Sequence, residues 1–296
     1  MKGQLMNIKR LIVVTFFYSL ISFSHNGSNT VLLFSHGIAD TYKQAFWYAK
    51  SYKKNGVAHY NERYLFPCPW ATFNYPDATE GPLRVNYKET SFGQINEMQR
   101  LNSAYNKTIK WAQKKWNEYN IILFGLSRGA SNVGIFAGLH EIDHVKAIVL
   151  ESPYYNMGEV IQSIMYKNRL GWLPLSYGET IAEFIFKQYN RNGMNPGNMV
   201  QGIPKNIPIL IICSQEDQLV PYSSSINVYK KLIESGHQHT YILILNHGRH
   251  AKILFGLDGQ KYQDVVHAFY KKYNLPHDPS IAANGEKYLS LCQPVL

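Results

Sequence analysis

Cysteine is scarce in this chain. There are three in 296 residues, Cys68, Cys213 and Cys292, and no C-x-x-C pair among them. That excludes a disulfide-stapled scaffold and a dithiol redox motif. At most one pair can close. Cys68 with Cys292 is the pairing to test first, and Cys213, ending an apolar run, reads as a buried thiol. Charge is also sparse, at 17 % of residues. No long basic run or nucleic-acid motif occurs, which argues against a nucleic-acid partner. The lysines come mostly as pairs, such as Lys53-Lys54 and Lys230-Lys231, the pattern of solvated helical faces. The net charge of +10 supports at most a weak attraction to anionic membrane surfaces. No His, Cys or carboxylate spacing implies a metal, and no cofactor motif is present.

What the chain has in quantity is apolar surface: 45 % of residues are hydrophobic, enough for a large core and unlike a disordered chain. Residues 1–24 read as a targeting segment. Lys2, Lys9 and Arg10 form a basic start, Leu11 to Phe23 is uncharged, and Ser22 and Ser24 have the spacing of a cleavage site. The run is shorter than the ~20 residues that span a bilayer as a helix. An uncleaved N-terminal anchor is the alternative. A signal peptide implies a secreted or periplasmic protein, and without it the net charge is +7.

The centre of the chain is Gly125-Leu126-Ser127-Arg128-Gly129. It follows the apolar run Asn120–Phe124 and precedes a helix-like pattern from Ala130. Strand, G-x-S-x-G, helix is the context of a nucleophile elbow, a turn so tight that only small residues fit two positions either side of the serine. The backbone N–H of Arg128 then points to where an oxyanion would form.

Other strand-like runs alternate with helical patterns. Thr30–Phe34 leads into Ser35-His36-Gly37-Ile38-Ala39-Asp40, where the Ile38 N–H would be a second oxyanion donor and His36 a bracing residue. Residues 43–54 predict a helix, Tyr64–Phe66 a short strand, and 67–90 a long irregular stretch forming one wall of a cleft. Ser91 with Gln94 predicts a capping box opening a long helix. Lys146–Leu150, Pro208–Cys213 and Tyr241–Leu245 predict further strands, and 222–235 and 260–273 helices. Residues 154–205, rich in Met and aromatics, predict an inserted helical cap suited to a lipophilic acyl group.

Alternating strands and helices imply an α/β fold: a mostly parallel central sheet with helices on both faces and an inserted cap. The expected organisation is 1–24 signal peptide, 25–153 first part of the core, 154–205 cap, 206–273 second part of the core, and 274–296 a C-terminal extension. Ser127, Ile38, Asp217 and His250 each fall just after a strand, at the end where such sheets bind ligands.

Three candidates stand in the order serine, acid, histidine: Ser127, Asp217 and His250, the order expected when a G-x-S-x-G elbow belongs to an α/β hydrolase. His247 is an alternative base, and Glu216 or Glu151 an alternative acid. The pieces Ser35-His36-Gly37-Ile38, Gly125–Gly129, Asp217-Gln218-Leu219-Val220-Pro221 and Gly248-Arg249-His250 resemble those of α/β-hydrolase superfamily serine hydrolases over roughly residues 30–273. His36–Asp40 also looks like the oxyanion segment of palmitoyl-thioesterase-type enzymes. One departure is that the usual two leading strands are missing or lie elsewhere. The resemblance implies Ser127 as nucleophile, His250 as base, Asp217 as its orienting acid, and the N–H groups of Ile38 and Arg128 as the oxyanion hole. The expected activity is hydrolysis of esters or thioesters of a lipophilic, lipid-like acyl group through an acyl-enzyme. A peptidase of the same fold and an inactive ligand-binding protein are the alternatives.

Overall fold

The computed structural model describes residues 17–18, 29–54, 57–78 and 86–292. The strands are β1 (Phe17–Tyr18), β2 (Thr30–Ser35), β3 (Ser51–Lys54), β4 (Val57–Tyr60), β5 (Trp70–Thr72), β6 (Asn120–Leu126), β7 (Val145–Glu151), β8 (Ile209–Ser214) and β9 (Thr240–Leu245). The helices are α1 (Ile95–Lys115), α2 (Arg128–Leu139), α3 (Met157–Lys167), α4 (Leu175–Ile185), α5 (Pro196–Met199), α6 (Tyr222–Glu234), α7 (Gly259–Lys272) and α8 (Pro279–Ser290).

The main sheet runs β1-β5-β2-β6-β7-β8-β9. The pairings from β5 to β9 are parallel; only the edge pair β1–β5 is antiparallel. Both faces are covered, so the strands read as continuous apolar runs. The two-residue alternation still sorts their side chains. Val31, Leu33, Ile121, Leu123, Ile148 and Ile209 face α1, α2 and α6, while Leu32, Phe34, Ile122, Phe124, Val149 and Leu210 face α7 and α8. This is the expected α/β-hydrolase architecture.

Local chemistry sets the helix ends. Asn156 Oδ1 caps α3 by accepting from the Glu159 N–H at 2.9 Å. Asp278 caps α8, and Pro279 follows at its first position. Of the expected extension 274–296, residues 274–292 are described and carry α8, whose Ala282, Gly285 and Leu289 are buried. A Cβ on Gly285 would lie 2.0 Å from the Asp264 carbonyl oxygen, so α8 sits against α7 at backbone distance.

Four local expectations are corrected. Residues 43–54 do not form one α-helix: Tyr42–Trp47 is a 3-10 turn, and Ser51–Lys54 pairs with β4 as a hairpin. Tyr64–Phe66 makes no strand beyond a single bridge from Phe66 to Ala49. The stretch 67–90 contains β5, which lies beside β2 and supplies a neighbour on the side where leading strands were expected. Helix α1 begins at Ile95, because Phe92 and Gly93 turn the chain through positive φ (50° and 90°).

All three cysteines are free thiols, so Cys68 and Cys292 are not bonded. Both pack in or against one apolar cluster, where burial pushes their thiols up, to about 12 and about 11. The expected targeting segment lies outside the described residues apart from β1. Among the described residues no helix is long and apolar enough to cross a membrane.

Candidate active site

Ser127 stands at the junction of β6 and α2 with φ 56° and ψ −120°. Its neighbours explain how a serine is held there. A Cβ on Gly129 would lie 2.1 Å from the Ser35 carbonyl oxygen, and one on Gly125 would lie 2.5 Å from Ala130 Cα. Neither site can hold a larger residue without moving backbone. The Ser127 N–H donates to the Glu151 carbonyl at 2.7 Å, tying the turn to the end of β7.

The turns after β8 and β9 bring two more side chains to this point. Asp217 follows β8. Its Oδ1 accepts from the N–H groups of Leu219 (2.9 Å) and Val220 (3.0 Å), which aims Oδ2 at His250. His250 Nδ1 lies 2.7 Å from that oxygen, and His250 Nε2 lies 2.7 Å from Ser127 Oγ. A carboxylate only accepts, so Nδ1 carries the proton and Nε2 offers its lone pair to the serine hydroxyl. The Asp217 side chain is fully buried, while that of His250 keeps 16 % of its surface open. The chain therefore runs from a sequestered acid through a partly open imidazole to a serine that is 4 % exposed. The structure brings Ser127, Asp217 and His250 together.

The alternatives lie elsewhere. His247 Nδ1 pairs with Glu216 Oε1 at 3.0 Å on the exposed rim, and Glu216 Oε2 accepts from the Gly248 N–H at 3.0 Å. These two brace the loop that carries His250 and are turned to each other rather than to Ser127. Glu151 is buried at the end of β7, and its Oε2 accepts from the Tyr262 hydroxyl at 2.8 Å. Burial raises its carboxyl to about 7, against the pull of that hydrogen bond.

The two oxyanion candidates flank the serine. The Arg128 N–H is the first of α2, where backbone donors have no helical acceptor. The Ile38 segment runs beside Ser127: a Cβ on Gly37 would lie 3.5 Å from Ser127 Cβ. The Gly37 N–H donates to Gln44 Oε1 at 2.8 Å. The Gly37 carbonyl accepts from His36 Nδ1 at 2.8 Å and from Arg128 Nη2 at 3.2 Å. In a trans peptide the carbonyl and the following N–H point opposite ways, so these donors also orient the Ile38 N–H. His36 is a neutral brace. The Tyr75 N–H donates to its Nε2 at 3.2 Å, and burial, helped by Arg128, lowers its pKa to about 3.

The Arg128 side chain is the feature that sequence reasoning missed. It is 1 % exposed. Nη1 is bonded to Asp77 Oδ2 and lies 3.2 Å from Glu97 Oε1, and the guanidinium carbon sits 4.5 Å from the Tyr75 ring centre. Burial pulls its pKa down, but Glu97 and Asp77 outweigh burial and hold it charged. Glu97 also accepts from the N–H groups of Ser91 (3.0 Å) and Gly93 (2.8 Å) and from Asn132 Nδ2 (2.8 Å). Glu97, rather than the expected Ser91–Gln94 box, organises the start of α1. One signal was present: the residue after an elbow serine lies in the first turn of a helix packed on the sheet, so an arginine there must find buried carboxylates.

The stretch 154–205, expected to form a cap, carries α3 to α5. Ile38 packs against its apolar cluster, which includes Phe92, Tyr154, Met157, Ile161 and Val220. A cavity of about 370 Å³ beside this cluster has many polar linings, among them Gln94, Asn156, Glu159, Asn190 and Arg191.

The profile of the prolyl oligopeptidase family matches residues 105–275, a span that holds Ser127, Asp217 and His250. An uncharacterized protein of Acanthamoeba polyphaga mimivirus is 26 % identical over 183 residues, 59 % of this chain and 58 % of that protein. The uncharacterized protein YqkD of Bacillus subtilis is 27 % identical over 192 residues, 63 % of this chain and 58 % of its own. The matches thus span under two thirds of these relatives. Among solved structures, an esterase of Pyrococcus furiosus superposes with a TM-score of 0.55 at 18 % identity, covering 84 % of both chains. An acylaminoacyl peptidase of Pyrococcus horikoshii gives 0.57 at 14 % identity, over 89 % of this chain and 42 % of that one. With over half its length matched by the family profile, and with this sheet and elbow, the chain belongs to the prolyl oligopeptidase family of the α/β-hydrolase superfamily.

Proposed function

We propose that this protein is a serine hydrolase that cleaves carboxylic esters or thioesters through an acyl-enzyme. The observation that carries this reading is the unbroken hydrogen-bond chain from Asp217 through His250 to Ser127, at 2.7 Å in each link. Ser127 Oγ attacks the acyl carbon as His250 Nε2 takes its proton. Asp217 holds the tautomer and stabilises the imidazolium. The oxyanion is met by the N–H groups of Ile38 and Arg128, each worth ~10²–10³ in kcat in sites of this kind. The imidazolium then protonates the leaving group, and water repeats the sequence to free the acid. The apolar cluster under the cap, against which Ile38 packs, favours an apolar acyl group.

The test is Ser127→Ala with p-nitrophenyl esters of increasing acyl length. Turnover falls by about 10⁴-fold or more, and labelling by a fluorophosphonate probe disappears. Undiminished turnover in the variant ends the proposal.

A peptidase of the same fold is the second reading. It is favoured by the family match. Anilide and ester substrates sharing one acyl group separate the two readings. The basic and then apolar start of the chain, residues 2–23, supports export, and N-terminal sequencing of the mature protein tests it.

A further inference from the structure

Helix α4 packs its small residues inward and leaves most of its large apolar side chains outward. Of its residues only Ala182 is fully buried, and Gly178 meets Ile161 and Met165 of α3. Its two carboxylates, Glu179 and Glu183, are both paired to Arg191. The remaining stripe, Tyr177, Ile181 and Phe184 at steps of four and three, faces solvent with 60 %, 59 % and 73 % of its surface open. Trp172, just before the helix, is 77 % open, the most exposed aromatic of the cap. Isolated apolar side chains on a surface need no explanation, but a contiguous aromatic stripe does.

The charges flanking this stripe are mostly basic. Lys167 and Arg169, at the end of α3, and Lys187, just past α4, are all exposed. Lys187 Nζ lies 4.1 Å from the Phe184 ring centre. Glu179 and Glu183 share Arg191, which leaves one negative charge against the three cations, so the face remains net positive. In a two-fold contact between copies of the chain the same cations would face one another, which disfavours self-association. We infer that the outer face of the cap, Trp172, Tyr177, Ile181 and Phe184 ringed by Lys167, Arg169 and Lys187, is a docking surface for an anionic lipid bilayer. Tryptophan and tyrosine favour the depth of the lipid headgroups, an apolar stripe enters the acyl boundary, and flanking basic groups add attraction that salt screens. Lys167 Nζ lies 3.4 Å from the Gln218 carbonyl, next to Asp217, so the docked face and Ser127 share one end of the molecule.

The experiment uses the full chain with phosphatidylcholine vesicles, with and without phosphatidylglycerol. Trp172 is the reporter, because the other four tryptophans, Trp47, Trp70, Trp111 and Trp116, lie off the cap and the N-terminal segment has none. Brominated lipid quenches Trp172 fluorescence only in the anionic vesicles. The quenching vanishes in Trp172→Phe and falls at least tenfold at matched lipid in a Tyr177→Ser, Phe184→Ser variant. Fluorophosphonate labelling of Ser127 in solution reports folding of each variant and is unchanged. Equal quenching in wild type and Trp172→Phe overturns the inference. So does wild-type binding by the serine variant, or a dimer that these substitutions split while vesicles go unbound.

Discussion

The guanidinium of Arg128 donates to the carbonyl of Gly37, 91 positions earlier, at 3.2 Å. One residue thus contributes twice to the proposed oxyanion hole: its own N–H on one side, and the orientation of the Ile38 peptide on the other. A lysine at this position keeps the charge but lacks the second nitrogen of the fork. Arg128→Lys is expected to lower kcat by about tenfold or more, with KM little changed. Arg128→Met leaves Asp77 and Glu97 buried without their partner, which costs about 3–5 kcal/mol of stability and lowers Tm sharply. A lysine variant with wild-type kcat would show that Arg128 matters only to folding.

The bond from His250 Nδ1 to Asp217 Oδ2 sets the tautomer of the imidazole. Asp217→Asn keeps the shape but offers an N–H where Nδ1 needs an acceptor. Its kcat is expected to drop by about 10⁴-fold, with the fold intact by circular dichroism. Activity within tenfold of wild type would remove Asp217 from the mechanism.

The rim pair Glu216–His247 provides a contrast. Both side chains are about half exposed and bond to each other at 3.0 Å. The hydrogen bond to Glu216 raises the His247 pKa, so the pair tightens on acidification. His247→Ala is expected to leave kcat/KM within a small factor of wild type across an ester series. A loss comparable to that of His250→Ala would reassign the base.

Acid sensitivity follows from buried imidazoles, two of which are bonded at both nitrogens. His36 and His267 each donate through one nitrogen and accept a backbone N–H at the other, so protonation breaks a bond. Burial lowers them to about 3 and about 4. The unfolded chain takes up these protons near pH ~6.5, so stability is lost as pH falls below that value. Glu151 works the other way. Its carboxyl, raised by burial to about 7, favours folding while protonated and loses that as pH rises above the ordinary range. Between about pH 4.5 and 6.5 these two histidines, joined by buried His237, which burial also lowers to about 4, outweigh the one carboxyl. Tm is expected to fall from pH 6.5 to pH 5, and more steeply in Glu151→Gln. A Tm that holds or rises on acidification contradicts the assignment.

Much of this protein was written in short-range pattern. Apolar runs long enough to be strands, but buried on both faces, predict a parallel sheet. The Gly125–Gly129 turn, Asp217 with Val220 and Pro221, and His250 past the last strand mark three strand ends. Because a parallel sheet gathers its strand ends at one edge, their meeting was legible before any coordinate. What tertiary structure alone decided depends on contacts across long separations. Residues 43–54 have helical spacing, yet pairing with β4 outweighs that local preference. Nothing near Asp77 or Glu97 in sequence announces Arg128, because a buried charge selects its partners by proximity in space. Likewise, which apolar side chains of the cap face inward was not written in its composition. Packing against α3 took the small residues of α4, and the aromatic ones were left outside.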